Sequence, residues 1–324
     1  MKIVVDMLGG DLGIATTYSG LEDFMSSHPD VEIYAVGPTS VLNGLKNVHV
    51  IDANQNVKMD AHAMELLHDK DSSMAKAFET LNMEKADAVV SCGSTGALLT
   101  FASIKIKKLD KTIRPALVSP IPTLIEGKKT LLLDLGANSE NKANELVSFA
   151  KMAKVYYEAV YGKDPSIALL SNGKEEGKGS PLIQEVYKMI KKEGLEGFAG
   201  NIESSDLLFG NADIVITDGF TGNIALKAIE GTGEVVKVLL KEIFTESFKN
   251  KLAYLFVKKD LKKKLKMLSS KPLGGAMFIG LKKVVVKAHG NSDATAFKNA
   301  LETAYLCVKN DLVNKISKGI EYDE

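Results

Sequence analysis

The stretch ADIVITDGFTGNIALKAIEG, Ala212 to Gly231, decides how this chain folds. Ile214, Val215 and Ile216 form a β-branched run suited to a strand buried on both faces, and Asp218-Gly219 ends it. A helix is expected at once, with Thr221 as its cap and Ile224, Leu226, Ala228 and Ile229 burying its first turns. A carboxylate, glycines and a helix start, in that order, leave backbone N–H groups and the positive end of a helix dipole beside an acidic side chain. An anionic substrate could sit there. The plainer reading, that Asp218 and Thr221 only cap a helix and the glycines make the turn, explains the stretch equally well.

On both sides of this stretch, strand-like runs alternate with helix-like patterns. Strands are expected at Ile3–Val5, Val31–Val36, Val48–Ile51, Ala88–Val90, Leu131–Leu133, Ile167–Leu170 and Val284–Val286; helices at Ala15–Ser26, Ser72–Asn82, from Thr95 onward, and Asn144–Tyr161. Such alternation predicts an α/β fold with a mostly parallel sheet and helices on both faces. No internal repeat or low-complexity linker interrupts residues 1–324, which read as a single unit. Pro120 and Pro122, in SPIPT, predict a loop.

Composition removes several function classes. Lys+Arg and Asp+Glu both number 41 in a chain of 324 residues, so no global charge points to nucleic acid. The two cysteines, Cys92 and Cys307, form no CxxC, which leaves neither a zinc pattern nor a disulfide framework and predicts a reducing cytoplasm. MKIVVD begins as a strand and has no features of a signal peptide. No apolar run is long enough to span a bilayer.

Six expected strands end in polar, glycine-bearing turns. Val5 leads to Asp6 and Gly9-Gly10-Asp11, Val90 to Ser91-Cys92-Gly93-Ser94-Thr95-Gly96, and Leu133 to Asp134 through Asn138. Leu170 leads to Ser171-Asn172-Gly173, Ile216 to Asp218-Gly219, and Val286 to Lys287-Ala288-His289-Gly290. Ligands of open parallel sheets bind outside the carboxyl ends of the strands, so the six turns are expected to converge on one rim. Gly9-Gly10 does not make GxGxxG, GKEEGKG at Gly173 has one residue too few between its glycines for a P-loop, and no GxSxG elbow occurs. His289 is the one histidine placed at a strand end.

In this order the turns resemble those of the phosphate acyltransferase (PlsX) family, the fatty acid/phospholipid synthesis proteins. The resemblance runs through DMLGGD at Asp6, DSSM at Asp71, SCGSTGALL at Ser91, LDLGAN at Leu133, EEGKG at Glu175, TDGFTGNIALK at Thr217 and VKAHGNSDA at Val286. Ser94 stands where the family usually carries Asn, and DMLGGD where it has DAMGGD. The resemblance implies a fold similar to the isocitrate/isopropylmalate dehydrogenase and phosphotransacetylase group. It also implies attack of inorganic phosphate on acyl-acyl carrier protein, giving acyl-phosphate, with no cofactor and no metal.

Such a reaction must hold phosphate and a developing oxyanion close together. Backbone amides at Gly9-Gly10, Thr95-Gly96 and Thr221-Gly222 suit that task, with Lys178 and Lys287 supplying charge. Asp6, Asp11, Ser91, Ser94, Asn138 and Asp218 complete the expected binding set; the aspartates at strand ends would orient loop amides or lysines, since they would repel phosphate. Asn223 and His289 join the lysines as catalytic candidates. The imidazole would donate to the carbonyl oxygen or protonate the leaving sulfur, or else satisfy a local carbonyl.

Residues 235–268 differ from the rest. Val236, Leu240, Ile243 and Phe248, then Leu261, Leu265 and Leu268, keep helical spacing, while Lys249, Lys251, Lys258, Lys259, Lys262, Lys263, Lys264 and Lys266 crowd between them. This basic amphipathic helical hairpin fits an anionic membrane surface, an acidic carrier protein or a second subunit. Family behaviour implies peripheral membrane association, a homodimer, and a membrane glycerol-3-phosphate acyltransferase as the next enzyme. The competing readings are a coenzyme A-dependent phosphate acetyl- or butyryltransferase and a non-catalytic lipid-binding protein.

Overall fold

The computed structural model describes residues 1–57, 63–267 and 274–320. Leu268, the last residue of the expected hairpin, lies outside them. The strands are β1 (Lys2–Asp6), β2 (Glu32–Gly37), β3 (Val48–Asp52), β4 (Ala88–Ser91), β5 (Ala116–Pro122), β6 (Lys129–Leu133), β7 (Ile167–Ser171), β8 (Phe198–Glu203), β9 (Ile214–Ile216), β10 (Ala276–Ile279) and β11 (Val284–Lys287). The helices are α1 (Ile14–Ser27), α2 (Thr39–Leu42), α3 (Ala63–His68), α4 (Ser73–Met83), α5 (Thr95–Lys105), α6 (Ala143–Tyr161), α7 (Pro181–Glu193), α8 (Gly219–Glu246), α9 (Phe248–Met267), α10 (Ala294–Lys309) and α11 (Leu312–Gly319).

All eleven strands form one sheet in the order β3-β2-β1-β4-β11-β10-β5-β6-β9-β7-β8. Side chains alternate between its two faces. Ile3, Val5, Ile214 and Ile216 join one core with Phe24, Phe149 and Phe297 from α1, α6 and α10. Val4, Val89 and Val215 join the other with Phe78 and Phe101 from α4 and α5. Each fully buried phenylalanine contributes roughly 2–3 kcal/mol of transfer free energy. As expected, the fold is α/β, mostly parallel, with helices on both faces.

The connections at the middle of the sheet overturn two expectations. Pro120 and Pro122 sit in β5, which pairs antiparallel with β6, not in a loop. Strand β10 flanks β5 only from Ala116 to Val118, so the prolines lie beyond its reach, and a proline on an open strand side costs no ladder bond. Moreover, β11 with β10, β10 with β5, and β5 with β6 are three successive antiparallel pairings. An odd number of reversals makes β1, β2, β3, β4 and β11 run one way and β6, β7, β8 and β9 the other. The six turns therefore do not converge on one rim; they divide into two sets at opposite edges.

Several helices start on short polar caps. Ser72 accepts from Ala75 N at 3.1 Å, Ser94 from Ala97 N at 3.2 Å, Ser180 from Ile183 N at 3.3 Å and Asp293 from Ala296 N at 2.9 Å. The cap of α8 is Asp218, which accepts from Thr221 N at 2.8 Å; Thr221 lies inside the helix instead of capping it.

Candidate active site

The turns after β1 and β4 are built on a buried carboxylate. Asp6 ends β1 fully enclosed; its Oδ2 accepts from Ser91 Oγ at 2.7 Å and its Oδ1 from Leu8 N at 3.2 Å. Ser91 in turn accepts from Gly93 N at 2.9 Å. Burial pushes the Asp6 pKa above the ordinary carboxylate value, and these hydrogen bonds oppose the shift. Asp6 and Ser91 thus hold loop amides and are sealed from solvent. Gly9 is buried where the two turns meet, with Cys92 C and Gly93 Cα each 2.9 Å from where a Cβ would stand. Next to them Asp11 N donates to Gly290 O at 2.7 Å, joining the β1 turn to the β11 turn.

A second buried carboxylate performs the same task in the other half. Asp134 Oδ1 accepts from Leu117 N at 2.9 Å and Ala137 N at 3.0 Å, and its Oδ2 from Asn138 N at 2.9 Å and Asn138 Nδ2 at 2.8 Å. The Asn138 amide also donates to Pro115 O at 2.9 Å, so this side chain faces inward and holds the turn. The β6 turn presses against α8. A Cβ on Gly222 would stand 2.8 Å from Thr217 Cγ2 and run into the Asp134 carbonyl, and Gly136, at φ +105°, leaves room for the Asn223 side chain.

The amides of Thr221 and Gly222, expected to bind an anion, are already used. Thr221 N goes to the Asp218 carboxylate and Gly222 N to Asp218 O at 2.9 Å. The helix itself also departs from expectation. Of its residues only Gly219 and Gly222 are buried, and Ile224 is 53% exposed. Helix α8 touches the sheet through its glycines and packs the half-buried Ala225, Leu226 and Ile229 against the core, while Ile224 and Ala228 are exposed; a cavity lies on each side.

The first cavity, of about 550 Å³, lies along the seam between the two halves of the sheet. Thr95, Lys287, His289, Asn291 and Ser292 reach it from the turns after β4 and β11. Asn223, Lys227, Glu230, Glu234 and Lys237 reach it from α8, and Leu117, Pro120, Leu135, Leu226 and Ile229 supply an apolar wall. Burial lowers the Lys287 pKa, while the carboxylates of Glu230 and Asp11 oppose the shift. The Cys92 thiol is pushed up to about 12 by burial and the nearby Asp6, which keeps it protonated and unreactive. At the start of α5, Ser94 takes Ala97 N, whereas the Thr95 and Gly96 amides donate to no acceptor among the described residues. His289 Nε2 lies 3.0 Å from Glu230 Oε1.

The second cavity, about 690 Å³, lies across α8, between the turn after β7 and the start of α7. Asp218, Thr221, Ser171 and Gly179 line it with Leu170, Ile183, Leu207 and Ile224. Lys178 is exposed on this same turn, its N donating to Glu175 O at 3.0 Å. Within one chain the structure therefore gathers Thr95, Asn223, Lys287 and His289, with Ser94 and Gly96 adjoining. Lys178, Asp218 and Thr221 lie at the opposite edge. Gly10 and Asp11 flank the first cavity without lining it, and Asp6, Gly9, Ser91, Asn138 and Gly222 are buried within the turns.

Sequence reading missed Lys227, Glu230, Glu234 and Lys237. Their spacing of three, four and three residues places all four on one helix face, and that charged stripe was the available signal.

The eleven-stranded, mostly parallel sheet with helices on both faces is an α/β fold shared with proteins of different activities. The structure superposes on a phosphotransacetylase from Streptococcus pyogenes with a TM-score of 0.58, at 16% identity over 97% of this chain and 94% of that one. A 4-hydroxythreonine-4-phosphate dehydrogenase from Klebsiella pneumoniae gives 0.53, at 12% identity over 94% and 98%. These likenesses establish the fold. Residues 1–315 match the fatty acid synthesis protein family, and the chain belongs to that family. It is 40% identical over 328 residues to the phosphate acyltransferase of Lactococcus lactis subsp. cremoris (99% of each chain covered) and 39% identical over 327 residues to that of Bacillus pumilus (99% and 98%).

Proposed function

We propose that this chain transfers the acyl group of acyl-acyl carrier protein to inorganic phosphate, releasing acyl-phosphate and the carrier thiol for phosphatidic acid synthesis. The observation that carries this reading is the first cavity, where a half-buried lysine and two open helix-start amides stand opposite an apolar wall. Lys287 and the Thr95 and Gly96 amides hold phosphate, for which a helix start and a cation are suited. A phosphate oxygen attacks the thioester carbonyl carbon, Asn223 donates to the oxyanion, and the C–S bond breaks with its electron pair going to sulfur. Leu117, Pro120 and Leu226 exclude water from the first part of the acyl chain.

The α8–α9 pair leaves Val235, Leu239, Phe248, Leu255 and Phe256 exposed among its lysines, Phe248 by 81%. We assign this surface to an anionic membrane and to the second subunit of a homodimer. Acyl-phosphate is a reactive mixed anhydride, so release at a membrane would favour transfer to a membrane glycerol-3-phosphate acyltransferase. Among the described residues no helix is long and apolar enough to cross a bilayer.

The test is to incubate the protein with phosphate and either long-chain acyl-carrier protein or acetyl-coenzyme A, trapping acyl-phosphate with hydroxylamine. Product from the carrier thioester is expected. Preference for acetyl-coenzyme A would replace the carrier reading, and no product from either donor would end the enzymatic one.

A further inference from the structure

We infer that Glu230 is a positioning residue for His289, and that the pair passes one proton from the attacking phosphate to the leaving sulfur. The inference rests on the transacylase reading above. His289 Nε2 is 3.0 Å from Glu230 Oε1, and both line the cavity that contains Lys287, Thr95 and Asn223. Their side chains are 53% and 27% exposed, so the ring stands at the mouth of the cavity, while the carboxylate is better enclosed. A carboxylate accepts from whichever imidazole nitrogen faces it, which fixes the ring and its tautomer. With Nε2 facing the Glu230 carboxylate at 3.0 Å, a proton on Nε2 is favoured and Nδ1 is the nitrogen left with its lone pair. Among the described residues it has no protein partner.

The pair therefore has the polarity of an acid–base dyad: carboxylate, ring, reacting group. Among the described residues, the other charged groups of the cavity are Lys227, Glu234 and Lys237 from α8 and Lys287 from β11, with Asp11 beside Lys287. The step balances. Hydrogen phosphate attacks the carbonyl carbon and its O–H proton moves to Nδ1; the C–S bond then breaks, and Nδ1 returns the proton to sulfur. Acyl-phosphate and a neutral thiol leave, and His289 regains its starting form.

The full chain is assayed with inorganic phosphate and two donors: acyl-carrier protein, whose alkyl thiolate needs a proton, and an acyl nitrothiophenyl ester, whose aryl thiolate leaves without one. Glu230→Leu is expected to lower kcat with acyl-carrier protein by about 10- to 100-fold, within the range of general acid–base effects. On the aryl ester it should approach the unaltered protein. Glu230→Gln keeps an oxygen acceptor and should recover most of the lost turnover. Equal losses on both donors, no recovery in Glu230→Gln, or a change confined to KM would each overturn the role. Failure of the unaltered protein with both donors would instead overturn the transacylase reading, and this role with it.

Discussion

The Ser91 hydroxyl donates to Asp6 Oδ2 across 2.7 Å, and this bond ties the end of β4 to the end of β1. Both groups are fully buried, so the two turns bordering the first cavity depend on a polar contact that water cannot replace.

Ser91→Ala is expected to cost about 1–3 kcal/mol, because it leaves a buried carboxylate short of a donor. Denaturant unfolding measures it. The Asp6 pKa is raised, as is that of Asp134, in both cases chiefly by burial. A folded-state pKa above the unfolded value means that the native chain binds more protons between the two. The stability associated with both groups is thus fully present below the ordinary carboxylate range and is lost as pH rises toward their raised values. Asp6→Asn should flatten that part of the stability–pH curve.

Asp213 has the opposite sign. Its carboxylate accepts from Ser166 N at 3.0 Å, Ser166 Oγ at 2.9 Å and Tyr157 Oη at 3.0 Å, with Lys128 at 3.2 Å. Burial acts to raise its pKa, but these contacts outweigh it and the pKa is lowered. The stability it contributes is present above the unfolded carboxylate pKa and is lost as pH falls through the folded one. Asp213→Asn should cost about 3 kcal/mol at neutral pH and much less in acid, read from unfolding curves at several pH values.

Lys287→Ala should lower kcat/KM for phosphate by about 100-fold, as expected for removing a charge from a partly desolvated site. Its lowered pKa adds a pH signature: phosphate use falls as pH rises through a value below that of ordinary lysine. Lys287→Arg, which stays charged, should lose that alkaline decline. Unchanged phosphate kinetics in Lys287→Ala would remove this residue from the site.

For the α8–α9 pair, reversing Lys258, Lys259, Lys262 and Lys263 to Glu should release the protein from anionic vesicles, since each lysine near such a leaflet contributes about 1 kcal/mol. Lys263 also pairs with Glu126 at 3.0 Å, so Lys263→Glu alone should be checked for a local loss of stability. Co-sedimentation at low and moderate salt reads the result. Binding that persists and ignores salt would leave the exposed Phe248 and Phe256 as the membrane contact without help from charge.

Sequence by itself determined the alternation of strands and helices, the two-faced core, and four members of the first cavity, Thr95, Asn223, Lys287 and His289. Period-two burial, β-branched runs and short polar caps act over a few residues, so they can be read without knowing what lies opposite. Tertiary structure alone decided the direction of the sheet. AMFI at Ala276 and ALVSPIP at Ala116 are short and carry prolines or weak alternation, yet as β10 and β5 they reverse the strands and separate Lys178 and Asp218 from Lys287. It also decided which donors remain available: Asp218 uses the Thr221 amide, Asp134 uses the Asn138 amide, and the Thr95 and Gly96 amides stay open. Hydrogen bonds are exclusive, and which acceptor a donor reaches depends on where distant turns meet. For the same reason Glu230 and His289, far apart along the chain, become partners only when α8 crosses the seam.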